Sequence, residues 1–276
     1  MSDGPELVIL ACLKNEAEDL VEWLCWHRHV GVDRFLLYDN ESTDRTRAII
    51  EAMPFADRIE LRTAENIGGP QKRALRDGIA RYGKPHRWAL FIDGDEYLMP
   101  LDGEGIKAKL RRLEAEGVDG FGIHWRVFGS SGHETRPDGL LTESFTHRAP
   151  DSLHTNHHVK SLVRLDKAVA LHTVHYVEVA GRYILDTGVP IDERFRGIPR
   201  TVSYHHGLAI NHYIVKSREQ CLRKIARGRP HPTNPSRPPS YFDEHDHNEI
   251  EDRGAVAVIA PIRDEVLALR ERLGRE

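Results

Sequence analysis

Three acidic residues, Asp93, Asp95 and Glu96, stand directly after the apolar run Trp88-Ala89-Leu90-Phe91-Ile92. A carboxylate at the end of a buried strand is costly to desolvate without a partner. The cluster therefore implies a cation, or hydrogen-bond donors, in front of it. Side chains of an extended segment alternate between faces, which would put Asp93 and Asp95 on one side with Gly94 between them. Hard oxygen donors in that pattern suit Mg2+ or Mn2+, ions that complete their shells with water and substrate phosphates. The plainer reading is an Asp-Gly-Asp-Glu turn capping the next helix. The position of the cluster after a buried strand favours the metal.

Other residues capable of chemistry fall at comparable points. Lys14, Asn15 and Glu16 follow the first apolar run, Asp39 and Asn40 end the second, and Asn66-Ile67-Gly68-Gly69 follow the third. Ligands of open parallel sheets bind beyond the carboxyl ends of the strands, so these positions predict one shared polar rim. No GxGxxG follows the first strand and no GxxxxGK[ST] occurs. A nucleotide would have to be gripped by side chains and a metal, not by a glycine-rich cradle. The 17 histidines invite a zinc reading, but His157-His158 and His205-His206 are adjacent pairs, and no HExxH is present. Substrate-contacting or structural roles suit most of them better.

The elements that must position these groups alternate. ELVILACLK, RFLLYD, RIELRT and RWALFID read as strands. Between them lie three helical patterns: one with Leu20, Leu24 and His27 in register, one capped by Ser42 or Thr43, and one opening at Pro70. This β-α-β-α-β-α-β order predicts a mostly parallel sheet with helices on both faces. Further on, GEGIKAKLRRLEAEG reads as a helix and DGFGIHWRVFG as a strand, while residues 130–158 read as a functional loop. HVKSLVRL and AVALHTVHYVEV follow as strands and KSREQCLRKIARG as a helix. The expected division is a domain over 1–227 (halves about 5–100 and 101–227), a Pro-rich linker over 228–254 and a helix over 255–276, which packs on the domain or forms a homodimer contact.

Composition narrows the class. Lys plus Arg number 39 against 43 Asp plus Glu, a net charge of −4 without a long basic run, which argues against nucleic acid as a partner. Cys12, Cys25 and Cys221 lack CxxC spacing and fit a reducing compartment. No apolar run approaches the roughly 20 residues of a membrane span, and the start lacks a signal-peptide pattern. A cytoplasmic location is the expectation.

Taken in order, VILACLKNEAEDLVEWLCWHRHVGVDRFLLYDNESTDRT, NIGGPQKRAL and WALFIDGDEYL resemble the nucleotide-sugar-binding half of a GT-A glycosyltransferase, in the family-2-like group related to glycosyltransferase family 92. FGSSG, VKSLVR and NHYIVKSREQCLRK extend the match over roughly residues 7–227. The resemblance implies an α/β fold with a GT-A-like, mostly parallel sheet and, beyond it, a C-terminal helical extension. It implies inverting transfer of a sugar from a nucleoside-diphosphate donor, UDP-sugar first, to a hydroxyl of a glycan or other acceptor. Asp39 matches the position that reads the nucleobase, near Lys14, Asn15, Glu16 and Asn66. Asp93 and Asp95 match the pair that holds Mn2+ or Mg2+, with His212 as a further ligand. Lys72 and Lys160 are diphosphate neighbours by charge. Gly94 departs from the larger residue often found there, which leaves the donor sugar less constrained. The acceptor base is expected at Glu143, with Asp186, Glu193 and His175 as alternatives. A metal-dependent glycoside hydrolase or phosphohydrolase, and a nucleotide-sugar sensor without turnover, are the rival readings.

Overall fold

A computed structural model describes residues 4–83, 87–186, 188, 198–199, 202–204, 207–228 and 237–275. Glu193, His205, His206 and the stretch 229–236 lie outside the described residues.

The first hundred residues fold as their alternation predicts. Strands β1 (Glu6–Leu13), β2 (Arg34–Asp39), β3 (Ile59–Thr63) and β4 (Arg87–Phe91) are parallel neighbours in the order β3-β2-β1-β4. They are joined by helices α1 (Leu20–His29), α2 (Thr46–Glu51) and α3 (Pro70–Tyr82). Alternation along β1 sends Leu7, Ile9, Ala11 and Leu13 into one core with Trp23 and Trp26 of α1. Val8 and Leu10 enter a second core with Leu75 of α3. The α3 helix lies very close to β1, because a Cβ on Gly78 would stand 2.5 Å from Leu10 Cδ2.

Beyond β4 the chain reverses at the acidic cluster into β5 (Glu96–Pro100), a strand the sequence did not announce. Next come α4 (Ile106–Ala115), β6 (Val118–Val127), the short helix α5 (Leu141–Ser144) and the two-residue β7 (His147–Arg148). Strands β8 (Val159–Arg164), β9 (Ala168–Leu171), β10 (Val177–Val179), β11 (Arg182–Leu185) and β12 (Leu208–His212) lead to α6 (Arg218–Arg227). The sheet continues from β4 as β8-β6-β12-β5, with β11 also paired to β6, nine strands among the described residues. The β8 and β5 strands run antiparallel to their neighbours. The architecture is thus α/β, with a mostly parallel central sheet flanked by helices.

Three local outcomes differ from the sequence expectation. The Gly94-Asp95 pair forms a turn rather than an extended step, with Glu96 N donating to Asp93 O at 3.2 Å. Neither Ser42 nor Thr43 caps α2: its N-cap is Arg45, and Ser42 Oγ instead accepts from Asn15 N at 2.9 Å. Within 237–254 the chain forms α7 (Tyr241–His245) and β13 (Ile250–Glu251), which pairs with β7. The C-terminal helix comes in two parts, α8 (Gly254–Ile259) and α9 (Arg263–Arg275), divided by a 3-10 turn that carries Pro261. No helix among the described residues is long and apolar enough to cross a membrane.

The edge strand β5 is sealed by α1. Trp23 Nε1 donates to Glu96 O at 2.8 Å and Trp26 Nε1 to Leu98 O at 2.8 Å. His27 Nδ1 faces Trp23 O at 2.8 Å, while Leu98 N donates to His27 Nε2 at 3.1 Å. A carbonyl can only accept and an amide only donate, so His27 carries its proton on Nδ1. These bonds hold the acidic turn against the start of α1.

Candidate active site

The strand registers bring one rim together. The β1–β4 strands are parallel, so Leu13, Asp39 and Thr63 end side by side, while β4 ends at Phe91 beside Leu10 and leads at once into the acidic turn. The β8 strand opposes β4, hence begins at that rim with Val159 and Lys160, and β6 opposes β8, hence ends there near Trp125. The β12 strand runs with β6 and finishes at His212, and β5 opposes β12, starting at Glu96. Residues far apart in sequence therefore meet along the edge where ligands of such sheets bind.

At its centre the two aspartates have different lysines, and Glu96 shares the lysine of Asp93. Asp93 Oδ2 is 2.7 Å from Lys160 Nζ, and its Oδ1 accepts from Gln71 Nε2 at 2.5 Å. Asp95 Oδ2 is 2.5 Å from Lys224 Nζ and 3.6 Å from His212 Nε2. Burial alone would raise Asp95, but Lys224 and His212 hold it well below the usual carboxylate range. Glu96 is fully buried, 3.1 Å from Lys160; burial pushes it up to about 8 against the pull of that lysine. Burial lowers His212, with Asp95 opposing.

The turn separates the partners of Asp93 from those of Asp95, and among the described residues no three His, Cys, Asp or Glu side chains converge as a ready-made metal cage. Mg2+ and Mn2+ need less than that, since one or two protein donors plus water and phosphate suffice. Asp95 and His212 meet this smaller requirement. Asp95 Oδ2 and His212 Nε2 are 3.6 Å apart, and the other ring nitrogen, Nδ1, has no hydrogen-bond partner among the described residues.

Asp95 also lines a cleft of about 640 Å3, together with Asn15, Glu16, Asp44, Lys216, Lys224 and Arg227. Two cleft residues, Asn15 (φ 52°) and Lys216 (φ 57°), hold left-handed backbone that non-glycine residues seldom adopt, a conformation that concentrates at functional sites. The cationic wall comes from α6, whose Ser217–Gln220 capping box fixes its start. Arg227 donates to Asn15 O at 3.1 Å and also to Lys14 O, so α6 clamps the end of β1. Lys224 and Arg227 were not singled out from sequence. The sign that could have revealed them is two cations near the end of a helix in the late matching segment.

The other expected residues spread along the rim. Asp39 is buried, its carboxylate taken by Ser42 N at 3.2 Å and Arg47 Nε at 3.5 Å. Asn66 is exposed, and Lys72 Nζ donates to His172 O at 3.4 Å. Glu143 does not line the cleft: its α5 helix directs it outward to Arg263 Nε at 2.7 Å. The reason lies in Glu22, a buried α1 carboxylate that accepts from Leu141 N at 2.6 Å and from Thr142 N at 2.9 Å, fixing the inner end of α5. FGSSG acts as a bracket. Ser130 N donates to Asp246 Oδ1 at 2.6 Å and Ser131 N to Asn248 Oδ1 at 2.7 Å, while a Cβ on Gly129 would collide with His247 O. Asp186 accepts from Ser203 Oγ at 3.0 Å, and His175 packs against Trp125 with ring centroids 5.2 Å apart.

Comparison with known proteins gives the family of the chain. The family model described as "Glycosyltransferase family 92" matches residues 10–252. A glycosyltransferase family 92 protein of Ricinus communis is 26% identical over 202 residues, 69% of this chain and 35% of that protein. One from Oryza sativa subsp. japonica is 28% identical, over 58% of this chain and 27% of its own length. The chain thus spans about a third of the length of the curated relatives it matches. Among solved structures, S. aureus TarS in complex with UDP-GlcNAc is similar at a TM-score of 0.35 and 17% identity, covering 58% of this chain and 45% of that one.

Proposed function

The chain belongs to glycosyltransferase family 92, and from that premise we propose that it moves a sugar from a nucleoside-diphosphate donor to a hydroxyl of a carbohydrate or glycoconjugate acceptor, inverting the anomeric carbon. The observation that supports this most directly is the row of fixed cations at the acidic turn, Lys160 on Asp93 at 2.7 Å and Lys224 on Asp95 at 2.5 Å. Breaking a sugar–phosphate bond leaves a diphosphate whose negative charge grows as it departs. Preorganised cations at a partly desolvated site stabilise that charge. Lys224 projects from α6 to the cleft, and Arg227 of the same helix secures the Lys14–Asn15 corner. A Mn2+ or Mg2+ held by Asp95 and His212 would add Lewis-acid stabilisation of the same leaving group. The acceptor hydroxyl loses its proton as it attacks, and for a single inverting displacement one base on the opposite face of the sugar suffices.

The test is a thermal-shift panel of nucleoside diphosphates and their sugar conjugates, UDP first, with and without Mn2+. A bound ligand raises apparent stability by about 2.7 kcal/mol at a hundred times its Kd. One nucleotide should raise Tm, more so with Mn2+, and Asp95→Asn should remove the Mn2+-dependent part. An undiminished Mn2+ effect in that variant would overturn the metal assignment, and no shift with any nucleotide would overturn the donor class. Release of nucleoside diphosphate that no acceptor accelerates would instead identify a hydrolase. Binding without turnover would identify a sensor.

A further inference from the structure

The polar rim continues past the acidic turn into a cluster of rings. His158, just before β8, stacks on Trp125 of β6 with centroids 4.7 Å apart and 18° between planes. His212, at the end of β12, meets the same indole at 4.2 Å, and His175, before β10, at 5.2 Å. Three separate segments thus converge on one tryptophan. Trp125 is 7% exposed and His212 6%, while His158 and His175 are half-buried and form the accessible side.

Trp125 differs from the other three tryptophans. Trp23 and Trp26 donate to β5 carbonyls and Trp88 donates to Glu114, whereas Trp125 Nε1 is buried with no hydrogen-bond partner among the described residues, as is His212 Nδ1. A buried indole usually finds an acceptor, and an unpaired buried donor is costly. Two such groups in one cluster mark a place where a ligand would supply the missing hydrogen bonds.

The neighbours identify the ligand. His212 Nε2 stands 3.6 Å from Asp95 Oδ2, and Lys160 is bonded to Asp93 while its Nζ lies 5.9 Å from the indole centroid. The cluster therefore borders the diphosphate position directly. Along the strand order β3-β2-β1-β4-β8-β6-β12, a nucleoside over β1–β3 and a diphosphate at β4 leave the sugar to fall at β8, β6 and β12. A hexose ring has an apolar C–H face and several hydroxyls, which match an aromatic surface with unpaired polar tips.

We propose that Trp125, His158, His175 and His212 form the subsite for the sugar ring of the donor, with a ring hydroxyl accepting from Trp125 Nε1. This rests on the glycosyl-transfer reading above. Calorimetric titration of the full chain with Mn2+, using UDP, GDP, UDP-glucose, UDP-galactose, UDP-N-acetylglucosamine and GDP-mannose, separates the two. Trp125→Phe keeps an aromatic ring but lacks the N–H. It should leave the affinity for the free diphosphate within about twofold and weaken the preferred conjugate by about tenfold. His158→Ala removes the stacked ring at a half-buried position, should act in the same direction, and decides the matter if Trp125→Phe fails to fold. Equal changes for diphosphate and conjugate, or an unchanged conjugate affinity, would overturn the subsite. So would a native chain that binds a diphosphate but none of its conjugates. A native chain that binds neither diphosphate would overturn the transfer reading and the subsite with it.

Discussion

Gly94 is held by packing on both sides. A Cβ there would stand 2.9 Å from Glu16 Cγ and 3.1 Å from Leu13 Cδ2. The absence of a side chain lets the acidic turn close on the end of β1. Glu143 shows the reverse, a carboxylate in a suggestive loop that the fold employs elsewhere. Because its partner is Arg263 rather than a cleft residue, Glu143→Gln should keep turnover within about a factor of three and leave donor affinity unchanged, since a partly exposed ion pair is worth little. Steady-state kinetics check this, and a collapse of kcat with donor binding intact would return Glu143 to the role of base.

At the scale of elements, Glu22 joins α1 to the 130–145 segment. Its carboxylate is buried and its pKa is pushed up to about 7 by burial, with the Thr142 and Leu141 donors opposing. Glu22→Ala would leave those donors without their acceptor, at a cost of about 1–3 kcal/mol, and should speed hydrogen exchange at the Leu141 and Thr142 amides. Unaltered protection there would show that α5 is fixed by something else. Much of this organisation was legible in the sequence and part was not. The strands β1–β4 and helices α1 and α3 follow from local periodicity and from Pro70. The polar residues after each strand already marked the rim. By contrast, β5 is EYLMP, an apolar run too short to announce itself beside an acidic cluster, and its outward backbone bonds come from Trp23, Trp26 and His27, more than 70 positions earlier. Lys224 reaches Asp95 across 129 positions. No local pattern encodes such pairings, and the divergence of Asp93 from Asp95 depends on them.

Across the whole molecule, burial sets the response to acid. His27 is fully buried and its pKa is pushed down to about 3 by desolvation, against the hydrogen bond to Trp23. The unfolded chain therefore binds a proton that the folded one refuses between the ordinary histidine value and that lower one. The stability contribution of His27 is complete above pH 6.5 and is lost as pH falls, with a slope of about 1.4 kcal/mol per pH unit. Glu22 and Glu96 act in the opposite sense. Their raised folded values favour the folded state below the ordinary carboxylate pKa, and that advantage fades as pH rises through about 7 and about 8. Comparing native protein with His27→Gln isolates the histidine: in urea denaturation from pH 6.5 to 4, the stability of the native protein relative to the variant should fall by about 1.4 kcal/mol per pH unit. Equal slopes would mean that the imidazole titrates normally.

The indole and imidazole groups that α1 lays along β5 have one more effect. A bare sheet margin is a template for β-aggregation, because a loose strand from an unfolded neighbour can add to it by backbone bonding. At this flank the outward carbonyls of Glu96 and Leu98 and the amide of Leu98 are already engaged by side chains. The helix that steadies the acidic turn thus also guards the protein, at that margin, against runaway association with its own unfolded copies.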